Sequence, residues 1–226
     1  MAINTEVYKK IREELRVNNG TLVAVSKIQP ISKIKELYDL GQRDFGENYV
    51  QELAEKYESL PKDILWHFIG HLQTNKVKYI APFVSLIHGV DTFKLLKEIN
   101  KQGEKNNRVM NCLLQIHIAQ EETKFGLSEN ELDEIFNSAQ LKDLNNIMIS
   151  GMMGMASFTE NEEKIRNEFR YLKNLFLSYS QLSIINCQLS ILSMGMSDDY
   201  KIAIEEGSNM VRIGSLIFGN RNNANV

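Results

Sequence analysis

The sequence predicts an α/β fold, a single (β/α)8 TIM barrel with an additional N-terminal helix, and three observations carry that prediction. Short β-branched or apolar runs alternate with amphipathic segments, the alternation repeats about eight times, and no Gly/Ser-rich or single-sign charged stretch interrupts it. Strict alternation implies parallel strands joined by crossover helices, and 226 residues suit an eight-unit barrel, for which ~250 is typical. A doubly wound open sheet usually needs fewer strands and a Gly-rich first turn, whereas the first run here leads into Ser26-Lys27-Ile28-Gln29-Pro30. The chain 1–226 is therefore read as one domain with no dinucleotide site.

The elements follow in order. A charged helix opens the chain over 1–16. The strand-like runs and the helical segments after them are 21–26 then 31–40, 44–45 then 49–57, 66–69 then 75–80, 86–90 then 92–101, 109–118 then 128–139, 147–152 then 161–177, 188–192 then 198–206, and a last strand at 210–213. Ser128 and Asp198 stand where N-caps belong, and Gly41, Gly103 and Gly207 where helices should stop.

Composition narrows the function. Twenty-six Lys and Arg against 29 Asp and Glu give a net charge of −3 with the signs interspersed, which disfavours nucleic acid and acidic lipid as partners. Two distant cysteines, Cys112 and Cys187, offer neither a disulfide framework nor zinc spacing, and fit a reduced compartment. No apolar run approaches the ~18–20 residues of a membrane span, so a cytoplasmic protein is expected. His67 and His71 are four apart but read as a strand end, with no carboxylate at ligand spacing, so no metal is expected. Met152, Met153 and Met155 read as core and rim.

In such a barrel the chemistry belongs at the C-terminal ends of the strands. After the first run comes Lys27, which alternation places on one side with Val23 and Val25. A lysine in a barrel mouth loses solvation and becomes available as a neutral amine for a Schiff base; the alternative for a strand-end lysine is plain solvation. Ser193-Met-Gly-Met-Ser-Asp-Asp199 and Arg212-Ile-Gly-Ser215 are small-residue turns after the last two strands, where Gly195, Ser197, Gly214 and Ser215 are candidates for a phosphate cup, or simply turns. A lysine after the first strand with a phosphate cup after the seventh and eighth suits pyridoxal 5′-phosphate (PLP).

Five segments carry a family resemblance: Leu22-Val-Ala-Val-Ser-Lys27, Phe45-Gly-Glu-Asn-Tyr-Val-Gln-Glu52, Trp66-His-Phe-Ile-Gly-His-Leu-Gln-Thr-Asn-Lys76, Leu192-Ser-Met-Gly-Met-Ser-Asp-Asp199 and Met210-Val-Arg-Ile-Gly-Ser-Leu-Ile-Phe-Gly-Asn-Arg221. In these the chain resembles the YggS/PROSC-type pyridoxal phosphate homeostasis proteins, which share the barrel of the N-terminal domain of alanine racemase. The resemblance implies that Lys27 holds the cofactor as a Schiff base, that Arg212 faces the pyridine nitrogen, that Gly46 and Asn48 lie by the ring, and that Gly195, Ser197, Gly214 and Ser215 surround the phosphate. Asn48 has a second reading as the cap of the next helix. Two positions depart from the family pattern: His117, in Gln115-Ile-His117, stands where an asparagine is common, and Ser215 replaces a threonine. Lys124 matches a family lysine and reads by default as a solvated loop charge.

An arginine against the ring nitrogen cannot pass it a proton, which weakens the cofactor as an electron sink. A racemase also needs a base on the opposite face, supplied in alanine racemase by a second domain; five residues follow Arg221, and nothing in the spacing argues for Tyr49 or Tyr200 in that role. The expectation is a monomeric PLP carrier that buffers or delivers the cofactor to apo PLP-dependent enzymes without efficient turnover. The alternatives are a weak racemase-type enzyme and a plain barrel with a solvated Lys27.

Overall fold

The computed structural model describes residues 2–119, 125–182 and 186–219. Eight parallel strands close a barrel in chain order: β1 (Thr21–Val25), β2 (Asp44–Glu47), β3 (Leu65–Phe68), β4 (Leu86–Val90), β5 (Met110–Gln115), β6 (Ile147–Met153), β7 (Cys187–Ser193) and β8 (Met210–Ile213), the last pairing back onto β1. Around it lie α1 (Thr5–Arg16), α2 (Ile31–Asp39), α3 (Val50–Ser59), α4 (Val77–Ile80), α5 (Phe93–Lys105), α6 (Glu129–Asn137), α7 (Glu162–Ser180), α8 (Tyr200–Glu205) and α9 (Ser215–Phe218). The predicted (β/α)8 barrel with its extra N-terminal helix is the fold. Among the described residues no helix is long and apolar enough to cross a membrane.

Period-2 alternation sorts each strand between two environments. Leu22 and Ala24, Phe45, Trp66 and Phe68, Ile87 and Val90, Cys112 and Leu114, and Val211 and Ile213 belong to the core between barrel and helices. Val23, Leu86, Leu113, Met153 and Met210 form a separate buried cluster inside the barrel. The remaining interior is polar, with His67, His88, Gln115, Ser193 and Arg212 all buried.

Helix α1 is capped at its start and tied to the barrel along its buried face. The Asn4 side chain caps it by accepting the Val7 N–H at 3.1 Å, and Tyr8, Ile11 and Leu15 form its buried face at helical spacing. At the N-terminal end of the barrel the buried Gln42 amide donates to the carbonyls of Leu22 and Asp44, both at 2.7 Å, while its Oε1 accepts from Tyr8 Oη and Arg12, both at 3.3 Å. One side chain thus ties two strands to α1.

Several boundaries differ from the sequence reading. Ser128 caps α6 with a full capping box, as expected. Asp198 does not cap α8; Asp199 occupies that position, and its carboxylate accepts the Met196 N–H at 2.6 Å instead of capping the helix. Gly41 and Gly207, at φ 95° and 96°, end their helices, but Gly103 lies inside α5. A Cβ on Gly103 would stand 2.6 Å from Asn146 O and 2.9 Å from Arg108 O, so this glycine allows close packing and the helix continues to Lys105. The fifth strand stops at Gln115, short of residue 118, and a 3-10 turn (Thr74–Lys76) precedes α4. The last strand is followed by a helix after all, the four-residue α9.

Candidate functional site

Strands β7, β8, β1 and β2 are consecutive around the barrel, and the residues singled out at their C-terminal ends come together there. Val23 pairs with Arg212 and Val25 with Gly46, Arg212 N–H donates to Gly195 O at 3.0 Å, and a Cβ on Gly214 would lie 3.1–3.2 Å from Val25. Lys27 is half-buried, two residues beyond the end of β1. The strand does not extend to it, so alternation alone does not set its direction. It sits instead in a turn closed by Gln29 N–H to Ser26 O at 3.0 Å, in which Ile28 takes φ 61°. A β-branched residue in the left-handed region is strained and persists only where its surroundings over-determine it.

Those surroundings are a buried ion cluster absent from the sequence reading. Lys56, on α3, donates to Ser26 O at 2.7 Å, Glu47 Oε1 at 2.8 Å and Glu52 Oε1 at 2.6 Å. Ser26 Oγ donates to Glu47 Oε1 at 2.5 Å, and Ile28 N–H donates to Glu52 Oε1 at 2.6 Å. Both neighbours of Lys27 are therefore fastened to β2 and α3. Burial pushes the Glu47 carboxyl up to about 6 against the pull of Lys56, and its Oε2 is buried without a partner. The legible signal was Lys56 itself, a lysine on the apolar stripe of α3 with Val50 and Leu53.

Asn48 follows β2. Its capping reading is overturned: Tyr49 is the N-cap of α3, with no side-chain cap bond, and Asn48 Oδ1 is a buried acceptor without a partner. A buried unpaired amide oxygen costs free energy that a ligand donor can recover. The Asn48 backbone is held from below by Gly70, where a Cβ would meet Asn48 O at 2.5 Å. At Gly46 a Cβ would lie 3.0 Å from both the Val23 and Ile69 side chains, so glycine is what lets these two pack closely at the strand end.

Arg212 is buried on β8. Its guanidinium donates to Ser193 Oγ at 2.7 Å and Gly154 O at 3.0 Å. Burial pushes it down to about 10 while Asp199 pulls the other way, so it stays charged at neutral pH. Gly195 needs its glycine for the turn itself: φ is 96°, and a Cβ would lie 2.6 Å from Ala203 Cβ on α8. Ser197 is half-buried in that turn, and Ser215 is exposed as the first residue of α9, where the leading N–H groups have no carbonyl within the helix to bond.

The other positions fall elsewhere. His117 lies past β5, its N–H bonded to Leu127 O at 3.0 Å. Lys124 and Arg221 lie outside the described residues. Tyr200 points to α1, where its hydroxyl donates to Glu14 at 3.0 Å and burial pushes it up to about 12; Tyr49 is exposed. His71 pairs with Asp91 at 3.1 Å and stacks on Phe125. Cys112 and Cys187 are free thiols that burial pushes up to about 12 and about 11, which keeps them unreactive.

The fit of this mouth to PLP rests on three features: a lysine in a fixed turn, a charged buried arginine and an unpaired amide oxygen. Comparison with known proteins agrees. The family model of the alanine racemase N-terminal domain matches residues 5–222. The pyridoxal phosphate homeostasis protein of Aquifex aeolicus (strain VF5) is 43% identical over 205 residues, covering 90% of this chain and 88% of that one. PipY of Synechococcus elongatus PCC7942, solved with PLP bound, superposes with a TM-score of 0.85 at 31% identity over 95% of this chain and 99% of its own. Alanine racemase of Clostridium difficile 630 shares the fold, with a TM-score of 0.75 at 13% identity, and this chain covers 61% of it. The chain thus belongs to the pyridoxal phosphate homeostasis protein family, on the barrel of the alanine racemase N-terminal domain.

Proposed function

We propose that the protein binds pyridoxal 5′-phosphate reversibly and buffers or delivers it to apo PLP-dependent enzymes, without efficient turnover of its own. The observation that carries this reading is the convergence of Lys27, Asn48 and Arg212 on adjacent strand ends in a chain that matches nearly the whole length of relatives named for PLP homeostasis. Lys27 holds the cofactor through a Schiff base, Gly46 and Asn48 border the ring, and Arg212 faces the pyridine nitrogen. Gly195, Ser197, Gly214 and Ser215 surround the phosphate.

When bound, the cofactor supplies an aldehyde for an amine and a ring that withdraws electrons. The protein's own residues limit the second property. Arg212 has no proton to give at neutral pH and cannot accept one, so the ring nitrogen beside it stays unprotonated. Of the two tyrosines weighed as an opposite-face base, Tyr200 bonds Glu14 on α1, which supports the reading of a carrier. Two free thiols support a reduced compartment, and we place the role in the cytoplasm with the chain acting as a monomer.

An absorption spectrum with PLP, beside Lys27→Ala and before and after borohydride, tests the attachment. The expected result is a band that disappears in the variant and a reduced adduct on Lys27; no band in either protein would overturn the site. Delivery is tested by titrating the loaded protein into an apo PLP enzyme, and reactivation no faster than with free cofactor would refute it.

A further inference from the structure

A continuous chain of hydrogen bonds crosses the barrel interior. From Arg212 at the mouth it runs through Ser193 Oγ (2.7 Å), from Ser193 to His88 Nδ1 (3.3 Å), from His88 Nε2 to His67 Nδ1 (2.9 Å), and from His67 Nε2 to Asp44 Oδ1 (3.1 Å). It links β8, β7, β4, β3 and β2. Ser193, His88, His67 and Arg212 are buried, whereas the Asp44 side chain is 24% exposed and lines a cleft at the opposite end of the barrel with Arg12 and Thr21.

While both imidazoles are neutral, the two ends fix the direction of every bond between them. A guanidinium only donates, and an ionised carboxylate only accepts. A single arrangement then satisfies all four bonds. Ser193 accepts from Arg212 and donates to His88 Nδ1; His88 Nε2–H donates to His67 Nδ1; His67 Nε2–H donates to Asp44. Turning the serine hydroxyl away makes His88 donate to Ser193, forces His67 to donate to His88, and leaves a bare His67 Nε2 facing a carboxylate. Burial, with His67 and Arg212 nearby, holds His88 well below the usual imidazole range, consistent with a neutral ring.

We propose that Asp44, His67, His88 and Ser193 are positioning residues for Arg212: a hydrogen-bond chain of one fixed polarity, ending at the far side of the barrel, that orients the cofactor-facing guanidinium. The part that concerns the cofactor rests on the proposed PLP site. The chain itself does not, because all its members are side chains of this protein. Apolar side chains would fill the same space, but among the described residues they would leave the guanidinium Gly154 O as its one hydrogen-bond anchor and so freer to turn. A polar column costs desolvation and returns a defined direction.

The test combines two readouts. Nitrogen-15 imidazole spectra of the PLP-free protein should show His67 and His88 both protonated at Nε2 and accepting at Nδ1. Asp44→Ala, at the partly exposed end, should disturb the His88 ring although it touches none of its atoms, and Asp44→Asn, which still offers an accepting oxygen, should restore it. PLP titrations should then show about tenfold weaker binding for His88→Leu, the size of one lost buried hydrogen bond, and a smaller loss for Asp44→Ala. A wild-type His88 protonated at Nδ1, or His88 signals indifferent to Asp44→Ala, would overturn the chain. If the imidazole spectra are as expected and the wild-type protein binds no PLP, the cofactor site fails and the chain stands. Should His88→Leu not fold, Asp44→Ala carries both readouts.

Discussion

The apolar cluster inside the barrel and the ion cluster behind β1 and β2 are both largely buried, yet they are built for different ends. Val23, Leu86, Leu113, Met153 and Met210 meet through non-directional contacts, so their contribution scales with the area removed from water, and other side chains of the same total volume would serve. Lys56, Glu47, Glu52 and Ser26 meet through directed bonds of 2.5–2.8 Å, and burying these charges costs desolvation that the bonds only partly offset. The first cluster holds the barrel together. The second holds a single turn, the one bearing Lys27, in a conformation that Ile28 would not otherwise adopt.

That contrast can be broken from either side. The largest effect is expected from Lys56→Ala, which leaves Glu47 buried without its cation. Stability should fall by about 3–5 kcal/mol, with a loss of PLP attachment greater than the stability loss alone explains. Denaturant melts beside the PLP spectrum would check this, and a mild loss with unchanged attachment would show that the cluster does not serve the turn. Leu113→Ala should cost about 2–4 kcal/mol in the same melts and leave the attachment chemistry intact.

A smaller effect is expected in the pH dependence. The Glu47 carboxyl is raised in the folded state to about 6 from 4.5, so the folded protein binds more protons than the unfolded chain between these values. The resulting contribution is fully present below about pH 4.5 and is lost as pH rises through about 6, amounting to roughly 2 kcal/mol. Melts of the wild type against Glu47→Gln at pH 4 and pH 7 should show the wild type losing that much relative to the variant; a constant difference would contradict the assignment. Met153→Leu, a volume-conserving change in the apolar cluster, should cost under about 1.5 kcal/mol.

Much of the site was legible because its residues stand in one-dimensional patterns. Lys27, Gly46, Arg212 and Gly214 each follow or end a short apolar run, and in a parallel barrel every such position lies at the same face. Asn48 was legible as a candidate but not as an unpaired acceptor, since the sequence does not show that Tyr49 takes the cap position and that the Asn48 Oδ1 is buried without a partner. Glu47, Glu52 and Lys56 escaped as a group: the i,i+4 pairing of Glu52 and Lys56 looks like an ordinary surface pair until α3 packs it against β2. His67 was weighed only as a metal ligand, and His88 passed as one residue in an apolar run, because the partners on β2, β4 and β7 are 23, 21 and 105 residues away in the chain.

The sequence by itself determined the eightfold alternation, the parallel barrel that follows from it and the face on which the candidate site residues lie, because period and chain order act locally along the backbone. The tertiary structure alone decided which buried polar groups face one another, which are left unpaired, and that a string of side chains from five strands forms a single directed chain. Hydrogen-bond polarity depends on partners across the barrel, and closure of the sheet is what brings those partners within reach.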